Sequence, residues 1–475
     1  MAADRVRSEG DGSLADTVLV SNRGPLAFHL VEGRPEPTTA GGGLAGALRP
    51  LVAGTGATWV AAALGEADRA AAGLGMMVDE GIRIELVDAD PELFSMAYNL
   101  VSNGTLWFCH HHLFDAPRRP RIDRRWGEAW DAYRELNQLF ALRLAKVAPE
   151  GARVLVQDYH LALVANELVR LRPDLRTAHF THTPFADPSV LRMLPTAASE
   201  ELLAGMAAFG ACGFHSDRWA NAYRAGLSEL DVGSAGYLGP NPTFVSPLSV
   251  DAGRLTASAA EPAVAEAGAR IEEWVGDPQR QVIVRVDRME LSKNLLRGFW
   301  AFDELLEREP DRRGRVVFVA LAYPTRQGLP EYLAYQNEVE STVARINERW
   351  ATPGWTPILL DVEDDYNRSL AALTRYDVLL VNPVRDGLNL VAKEGPLVNR
   401  RHGVLALSRE AGAFDELGPA CLEVNPFDVS ATATALGRAL DFGRDERAAM
   451  ADALVARIEA RTPSDWLDDQ LAAVG

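Results

Sequence analysis

The sequence predicts an α/β protein made of two doubly wound domains, each built on a parallel sheet. Strand-like and helix-like segments alternate along almost the whole 475-residue chain, which is typical of βαβ units with helices on both sheet faces. The strand-like runs are also too many for one sheet of usual size. Division by a typical domain size of about 150 residues likewise gives two or three domains.

Ten short apolar runs are the predicted strands. In chain order they are residues 17–20, 58–61, 153–156, 178–181, 211–214, 282–285, 316–319, 357–360, 378–381 and 403–406. Their length and their bounding turn residues favour strands buried on both faces. The amphipathic segments 126–147, 160–171 and 330–350 are predicted helices.

The proline-bearing stretch 238–250 is the best place to divide the chain. We expect an N-terminal, acceptor-binding Rossmann-like domain over residues 1–245 and a C-terminal, nucleotide-sugar-binding one over residues 246–455. Residues 456–475 should form a helix that packs back on the N-terminal domain. Because such sheets bind ligands beyond the carboxyl ends of their strands, the two domains are expected to face each other across a cleft.

Composition excludes several classes of function. The formal charge is −18, from 66 acidic and 48 basic residues, which argues against general binding to nucleic acids or anionic membranes. The sequence has no stretch of membrane-spanning length and no signal-peptide core, so a cytoplasmic protein is expected. Three scattered cysteines predict neither a disulfide framework nor a zinc knuckle. A homo-oligomer is compatible with the sequence, which does not determine the oligomeric state.

The segment PVRDGLNLVAKEG, residues 383–395, carries more polar groups than a structural turn needs. A helix is predicted to begin at Gly387–Leu388, where backbone N–H groups would meet a phosphate. Asp386 can accept hydrogen bonds from sugar hydroxyls. Glu394, over a turn into the helix, can accept from the two hydroxyls of a ribose.

Lysine is rare in this chain, since only three of the 48 basic residues are lysines. One of them, Lys293, shares a predicted strand–helix turn with Arg288. Two cations on such a turn can neutralise a diphosphate leaving group without a metal ion. A solvated turn carrying surface charge is the alternative for this segment taken alone.

The first half of the chain also places polar residues after predicted strands. Arg23 ends the first strand, and Asp158 and His182 follow the third and fourth. Tyr98 and Trp107 bracket a predicted polar turn in AYNLVSNGTLW.

These segments resemble those of retaining, metal-independent glycosyltransferases with two Rossmann domains (the GT-B type), and among them trehalose-6-phosphate synthases. They occur in the family's order over nearly the whole chain. The matching segments are SNR (21–23), GGLAG (42–46), YNLVSNGTLW (98–107), DYH (158–160), HTPF (182–185), VDRMELSKN (286–294), AYPTR (322–326), RDGLNLVAKE (385–394) and VNPFD (424–428). The segment RDGLNLVAKE is the most specific of them.

The resemblance implies transfer of glucose from a nucleotide-glucose, GDP- or UDP-glucose, to glucose 6-phosphate, with retention, to give trehalose 6-phosphate. It implies front-face attack without a protein nucleophile, no cofactor and no metal site. The implied catalytic residues are Asp158, His182, Arg288, Lys293 and Asp386. The implied donor-binding residues are Gly43, Arg288, Lys293, Asp386, Gly387, Leu388, Asn389, Leu390 and Glu394. The implied acceptor-binding residues are Arg23, Tyr98, Trp107, Asp158 and Arg326.

Three departures from the family pattern affect these expectations. The family usually has a second tryptophan soon after the position of Trp59, near the acceptor, and this chain does not. The turn after Arg288 reads MELSKN where LDYSKG is usual. The segment Val362–Tyr366 does not closely match the family's uridine-binding stretch, which leaves the base of the donor open.

Other functions fit parts of the sequence. Gly41, Gly43 and Gly46 match G-x-G-x-x-G, but the first strand ends roughly twenty residues too early for a dinucleotide fingerprint. The three adjacent histidines at 110–112 do not share a face, so polar turn residues are favoured over metal ligands.

Two other functions are alternatives, the first with the same fold and the second from a different functional class. One is a pseudo-glycosyltransferase that couples a nucleotide-activated cyclitol to an aminocyclitol phosphate, with which the altered Trp59 segment is compatible. The other is a non-catalytic regulator that binds nucleotide sugars. The presence of Arg288, Lys293 and Asp386 argues against the regulator.

Overall fold

The structure, a computed structural model, describes residues 14–39, 43–230 and 242–475. The chain divides into two compact units, Met1–Ser246 with Pro463–Gly475, and Pro247–Thr462. We expected residues 456–462 to be part of the C-terminal helix that packs on the N-terminal domain, but they belong to the second unit. Residues 238–241 of the predicted dividing stretch lie outside the described ranges.

The first unit is built on an eight-stranded sheet and a separate hairpin. Its strands are β1 (Thr17–Ser21), β2 (Leu26–Val31), β3 (Arg34–Thr39), β4 (Thr58–Ala62), β5 (Met77–Asp79), β6 (Ile82–Val87), β7 (Arg153–Gln157), β8 (Arg176–Thr181), β9 (Ala211–Phe214) and β10 (Thr243–Val245). β2 and β3 pair as an antiparallel hairpin, and the others have the order β10-β9-β8-β7-β1-β4-β6-β5. All neighbours in this sheet are parallel except β5 and β6.

Helices cover this sheet. They are α1 (Gly43–Val52), α2 (Glu66–Ala72), α3 (Pro91–Ser95), α4 (Trp107–His110), α5 (Arg124–Val147), α6 (Val164–Leu171), α7 (Pro188–Leu191), α8 (Thr196–Ala207) and α9 (Asp217–Glu229), with a π-helix at Met96–Leu106 and a 3₁₀ turn at Tyr159–Leu161. The C-terminal helix, Pro463–Val474, packs on β7 and β8. Its fully buried Trp466 ring lies 5.1 Å from the ring of Phe180.

The second unit contains a six-stranded, wholly parallel sheet. Its strands are β11 (Gln281–Met289), β12 (Val316–Pro324), β13 (Ile358–Asp361), β14 (Val378–Val381), β15 (Val404–Ser408) and β16 (Leu422–Val424), in the order β13-β12-β11-β14-β15-β16. Its helices are α10 (Ala252–Ser258), α11 (Pro262–Val275), α12 (Leu295–Arg308), α13 (Pro330–Trp350), α14 (Tyr366–Arg375), α15 (Val391–Val398), α16 (Phe414–Leu417), α17 (Val429–Asp441) and α18 (Arg444–Glu459). Further 3₁₀ turns lie at Leu291–Lys293, Pro310–Arg312 and Gly418–Ala420.

All ten predicted strands are confirmed, and most of them are buried on both faces, as in the fully buried TVLVS of β1 and VLLV of β14, whereas β13 lies at the edge of its sheet and is partly exposed. The apolar pattern did not predict β2, β3, β5, β6, β10 and β16. Most of these are short or partly exposed: β5 and β10 have three residues each and no fully buried one. Such strands lack the continuous apolar signal.

Each sheet reverses its strand order at one place. In the first unit β1 lies between β4 and β7, and in the second β11 lies between β12 and β14. Successive crossovers leave a crevice at such a point, beyond the carboxyl ends of the central strands. The loops that follow β1 and β7, and those that follow β11 and β14, are therefore where ligand-binding residues are expected.

None of the helices in the described ranges is both long enough and apolar enough to cross a membrane.

A buried carboxylate fixes the start of β14. Asp377 is almost fully buried, and its Oδ2 accepts from the backbone N of Val282 at 2.9 Å and from Arg375 at 3.3 Å. Its Oδ1 accepts from Arg401 and Arg447, each at 3.2 Å. One side chain thus joins the two central strands of the sheet to three guanidinium groups.

We expect Asp377→Ala to lower the free energy of unfolding by about 3–5 kcal/mol, because it leaves buried donors and a cluster of like charges without their acceptor. Chemical denaturation followed by circular dichroism measures the loss.

The matched control is Asp131→Ala, which removes an exposed carboxylate from an i,i+3 pair with Arg134 and should cost under about 1 kcal/mol. Equal losses in the two variants would contradict the structural role of Asp377.

Candidate active site

The two loops at the strand-order reversal of the second unit are joined by an ion pair. Lys293, in the turn after β11, places its Nζ 2.6 Å from Oδ2 of Asp386, which follows β14. The two side chains are only 12% and 13% exposed. Asn389 donates to the same carboxylate oxygen at 3.0 Å. Lys293 and Asp386 were both expected in the donor site, and the fold brings them into contact.

Electrostatics keep Lys293 charged in this position. Burial disfavours the ammonium, but the carboxylates of Asp386, Asp287 and Glu290 outweigh it, and the pKa of Lys293 is raised above its ordinary value. A fixed positive charge therefore stands at the carboxyl end of β11 at every physiological pH.

Arg288 and Arg326 lie on the same side of this sheet. Arg288 is 46% exposed, and its guanidinium lies 3.0 Å from the buried Glu290 carboxylate. Arg326, just beyond β12, donates to the hydroxyl of Tyr332 at 2.6 Å and has a positive φ of 48°. The Glu290 carboxylate raises the pKa of Arg288 above its ordinary value, while burial and the positive charge of Arg326 oppose this rise, so the two guanidiniums are close enough to repel. A polyanion between them would relieve that repulsion.

Three consecutive backbone N–H groups follow Asp386. Those of Leu388, Asn389 and Leu390 donate to no acceptor within the described ranges. Our prediction that the helix begins at Gly387–Leu388 is wrong, since α15 begins at Val391. Asn389 has a φ of 81°, which turns the backbone here and delays the helix. The unpaired N–H groups consequently form an open loop suited to a phosphate.

Two residues hold the turn that carries Lys293. Arg285, fully buried on β11, donates to the Lys293 carbonyl at 2.8 Å and to Asp287 at 2.8 Å. Asn294 takes the left-handed conformation, φ 58° and ψ 43°, at the position where the family usually has glycine. Its amide also donates to the carbonyls of Asn382 and Pro426, at 3.0 and 2.8 Å. The unusual MELSKN turn therefore keeps the backbone shape that glycine would allow.

Glu394 lies in the first turn of α15. Burial raises the pKa of its carboxyl to about 7. Within the described ranges the carboxyl makes no hydrogen bond or ion pair, so its acceptor capacity is available to a ligand.

In the first unit, Asp158 follows β7 in a strained backbone conformation. Its φ of 69° and ψ of 166° fall in a region that is essentially reserved for glycine and costs about 1–3 kcal/mol. His182 donates its backbone N–H to the Asp158 carboxylate at 3.1 Å, which joins the loops after β7 and β8. Strain of this kind persists only where the surroundings impose it, and it concentrates at functional sites.

The ring of His182 is engaged at both nitrogens. The Gln157 amide nitrogen lies 3.3 Å from the Leu155 carbonyl and 3.1 Å from Gln470 Oε1, so its oxygen faces His182 Nε2 at 2.9 Å. His182 Nε2 must then carry the proton, and Nδ1 accepts from His215 Nε2 at 3.1 Å. Burial, His215 and His179 hold the pKa of His182 well below its usual range, so the ring is neutral.

We predicted that Tyr98 and Trp107 bracket a turn, and this is wrong. A continuous π-helix, Met96–Leu106, joins them. Tyr98 and Trp107 are nine positions apart, which is about two and a half turns of an α-helix and would put the two rings on opposite faces. A π-helix has i→i+5 hydrogen bonds, so it makes fewer turns over the same nine positions. Gly104 permits it, because a Cβ there would lie 2.7 Å from the Asn99 carbonyl oxygen. Tyr98 stacks on His160 at 5.6 Å. Trp107 is only 2% exposed and stacks on His111.

The remaining expected residues are less enclosed. Arg23 is exposed at the end of β1, where Ser21 accepts from Trp59 Nε1 at 2.8 Å and donates to the Arg23 carbonyl at 2.7 Å. Trp59 is thus a core residue that supports this loop. Gly43 begins α1, while Gly41 and Gly42 lie outside the described residues.

We predicted that the histidines at 110–112 are polar turn residues, but their contacts show more than that. His110 and His111 are buried. His110 accepts from the backbone N of Ala186, and His112 from that of Asp187, both at 3.2 Å. They hold the loop that follows His182. Among the described residues, no group of three or more His, Cys, Asp or Glu side chains is arranged to hold a metal ion.

Sequence reasoning missed Gly412. Its backbone N–H donates to the Asp386 carbonyl at 3.1 Å, and an added Cβ would lie 1.9 Å from the Gly387 carbonyl oxygen. The glycine in REAGAF, just after β15, was the available signal, but only the sheet order brings it against the loop after β14. Arg285 and Gln157 were missed for the same reason.

Two Rossmann-like domains, with cations, a carboxylate and open N–H groups at a strand-order reversal, define a glycosyltransferase of the GT-B class that uses nucleotide sugars. The chain belongs to glycosyltransferase family 20, whose family model matches residues 15–474, and within it to the retaining trehalose-6-phosphate synthases.

Similar proteins cover nearly the whole chain. The trehalose-6-phosphate synthase of Mycolicibacterium smegmatis is 31% identical over 485 residues, 97% of this chain and 93% of that protein. A Burkholderia xenovorans trehalose-phosphate synthase (UDP-forming), solved with glucose-6-phosphate, superposes with a TM-score of 0.83 at 28% identity, covering 96% of this chain and 99% of that one. The E. coli protein, solved with UDP-2-fluoro glucose, gives 0.82 at 26% identity, covering 96% and 98%.

We expect Gly412→Ala to weaken the binding of nucleoside diphosphates at least about tenfold, because the new methyl group must push the Gly387–Leu388 backbone away from its phosphate-binding position. Isothermal titration with UDP and GDP measures the change.

Gly443→Ala is the matched control in the same unit, since its Cβ would meet open space. Unaltered nucleotide affinity in a folded Gly412→Ala protein would show that this loop does not bind the diphosphate.

Proposed function

We propose that the protein transfers glucose, with retention, from a nucleotide-glucose to glucose 6-phosphate and forms trehalose 6-phosphate. The observation that carries the proposal is the set of unpaired N–H groups at residues 388–390 beside the charged Lys293. Such a group of donors fits a diphosphate better than it fits any neutral ligand. The relatives described above support the choice of sugar and acceptor.

The donor roles follow from the contacts around Asp386. Its carboxylate accepts from Lys293 and Asn389. With donor bound, Lys293 and Arg288 would turn to the diphosphate, with Gly43 close to it, and Asp386 would accept from hydroxyls of the transferred glucose. Glu394 would take the ribose hydroxyls.

The chemistry is an exchange at the anomeric carbon of glucose. The bond from C1 to the diphosphate oxygen breaks, and a bond forms from C1 to a hydroxyl oxygen of glucose 6-phosphate on the same face. The leaving diphosphate takes the proton of that hydroxyl. Arg288 and Lys293 stabilise the negative charge that develops on the leaving group, and the protein's other contribution is orientation.

For the acceptor, Arg23 and Arg326 would bind the phosphate, and Asp158 and Tyr98 the sugar. The chain is acidic overall, so binding of a sugar phosphate needs a local reversal of sign. Arginine suits this role because its planar fork can donate two bonds to one phosphate. Trp107, which is buried, would support Tyr98 from within the domain rather than touch the acceptor. The ring nitrogens of His182 are both engaged, so it would reach glucose through its backbone or after rearrangement.

We propose that the donor can carry a base other than uracil, and guanine is the preferred alternative. Arg368 pairs with Asp361, just before the unusual segment Val362–Tyr366, and with Glu363 and Asp365 within it. Asp364 is exposed and has no hydrogen bond or ion pair within the described ranges. A free carboxylate can accept from the ring and amino N–H groups that guanine presents and uracil lacks in that arrangement.

One assay tests the function. The protein is incubated with UDP-, GDP- or ADP-glucose and glucose 6-phosphate, and nucleotide release and disaccharide phosphate are measured. Formation of trehalose 6-phosphate is expected with GDP-glucose as well as UDP-glucose. Absence of product with all three donors would refute the proposed reaction, and a strong preference for UDP-glucose in competition would refute the proposed base tolerance alone.

Lys293→Ala and Arg326→Ala should give opposite kinetic patterns. Loss of Lys293 should lower kcat at least about a hundredfold, the scale for removing a preorganised charge. Loss of Arg326 should raise the KM for glucose 6-phosphate steeply and leave donor binding nearly intact. Steady-state kinetics against each substrate separate the two.

The two variants are controls for each other, because each should leave unchanged the kinetic parameter that the other changes. If Arg326→Ala discriminates against unphosphorylated glucose as well as the parent does, its acceptor role is wrong.

Donor affinity should rise with pH because of Glu394. A carboxyl with a pKa of about 7 is mostly protonated at pH 6 and mostly ionised at pH 8, and the ionised form is the stronger acceptor for two ribose hydroxyls because neither of its oxygens carries a proton. If binding requires the ionised form, affinity should increase about tenfold over that interval. Titration calorimetry in buffers of different ionisation enthalpy would detect the released proton.

The control is Glu394→Gln, which should bind donor more weakly and with no such pH dependence. Persistence of the pH dependence in that variant would assign it to another group.

A further inference from the structure

His179 is a fully buried histidine that the proposed reaction does not use. It lies on β8, and its Nε2 is 3.1 Å from the carbonyl oxygen of Asp158. A carbonyl can only accept, so Nε2 carries the proton and donates. Nδ1 then accepts from the hydroxyl of Thr181, 3.4 Å away. Burial lowers the pKa of His179 to about 4, and the ring is neutral.

The carbonyl that His179 contacts belongs to the strained residue of the first unit. The ψ of 166° at Asp158 sets the direction of this carbonyl, and an aspartate does not adopt it together with a φ of 69° unless it is held there. Two backbone bonds contribute: Asp158 donates to the Phe180 carbonyl at 2.8 Å, and Leu161 donates to the Asp158 carbonyl at 3.1 Å. His179 supplies the side-chain bond to the same oxygen.

A purely space-filling role explains this histidine poorly. In the sheet its register partners are Val156 on β7 and Cys212 on β9, and its ring packs 5.3 Å from that of Phe209. An apolar side chain would fill such a site without the cost of burying two polar nitrogens. Both nitrogens have partners, and the one with the shorter contact is directed at the strained peptide.

We propose that His179 is a positioning residue for the acceptor site: its Nε2–H holds the peptide between Asp158 and Tyr159 in the orientation that aims the Asp158 carboxylate at acceptor hydroxyls. This inference deepens the proposed function and rests on it for the identity of the acceptor. The holding of the strained peptide itself does not depend on the substrate.

The kinetic test compares His179→Phe with His179→Gln. Phenylalanine keeps a ring of similar size but donates nothing, whereas the glutamine amide can place an N–H near the position of Nε2. We expect His179→Phe to lower kcat/KM for glucose 6-phosphate about 10- to 100-fold, the scale for misplacing a binding group by about 1 Å, with donor affinity unchanged. His179→Gln should recover activity to within about threefold of the parent.

A double-mutant cycle with Asp158→Ala tests whether His179 acts through Asp158. If it does, His179→Phe should cause little further loss of kcat/KM in the Asp158→Ala background, because the carboxylate to be positioned is gone. Additive losses, or parental kinetics in a folded His179→Phe protein, would overturn the proposal.

A second cycle is independent of catalysis. Glycine adopts the backbone conformation of residue 158 without strain, so His179→Phe should lower the melting temperature less in the Asp158→Gly background than in the parent. Equal decreases would show that His179 does not hold this peptide. If the parent forms no trehalose 6-phosphate, the proposed function fails, and this thermal cycle still decides the positioning role.

Discussion

The reversal of strand order at β1 and at β11 is the constraint on which the rest of the arrangement depends. At each reversal, the chain connections that follow the two neighbouring strands run in opposite directions along the sheet. The loops on the two sides of the reversal therefore do not cover one another. In the second unit this leaves Lys293 and Asp386 free to meet at 2.6 Å although they are 93 positions apart in the chain. In the first it leaves Arg23 and Asp158 at the ends of neighbouring strands.

Backbone strain is concentrated at the residues that we assign to ligands or to their support. In the described ranges, eight residues other than glycine have a positive φ, and four of them, Asp158, Asn294, Arg326 and Asn389, lie in the family's motifs. Each costs free energy that the fold must offset. The supports are buried polar groups, such as Arg285 beneath the Lys293 turn and His179 beneath Asp158. A backbone held in this way keeps the side chains that it carries in place, as the stabilisation of a developing charge requires.

The few lysines of this chain have different roles. Lys293 stands at the proposed diphosphate site, but Lys393, in the most specific motif, is a structural residue. It is fully buried, it pairs with Glu416 at 2.6 Å, and it donates to the Leu248 carbonyl at 2.9 Å. A compact ammonium fits this enclosed position better than a planar guanidinium does. The motif thus combines two neighbouring residues of different kinds, a core lysine and the ligand-accessible Glu394.

The sequence by itself determined the fold class, ten of the sixteen strands in the described ranges and the identity of most candidate site residues, because buried parallel strands are continuous apolar runs and their carboxyl ends carry the polar motifs. It misplaced the start of α15 and the form of the segment between Tyr98 and Trp107, since a positive φ at Asn389 and the i→i+5 bonds of a π-helix leave no periodic signal. Only the tertiary structure could decide the supporting residues. Gly412, Gln157, Arg285 and His179 act through neighbours that strand order, and not chain order, places beside them.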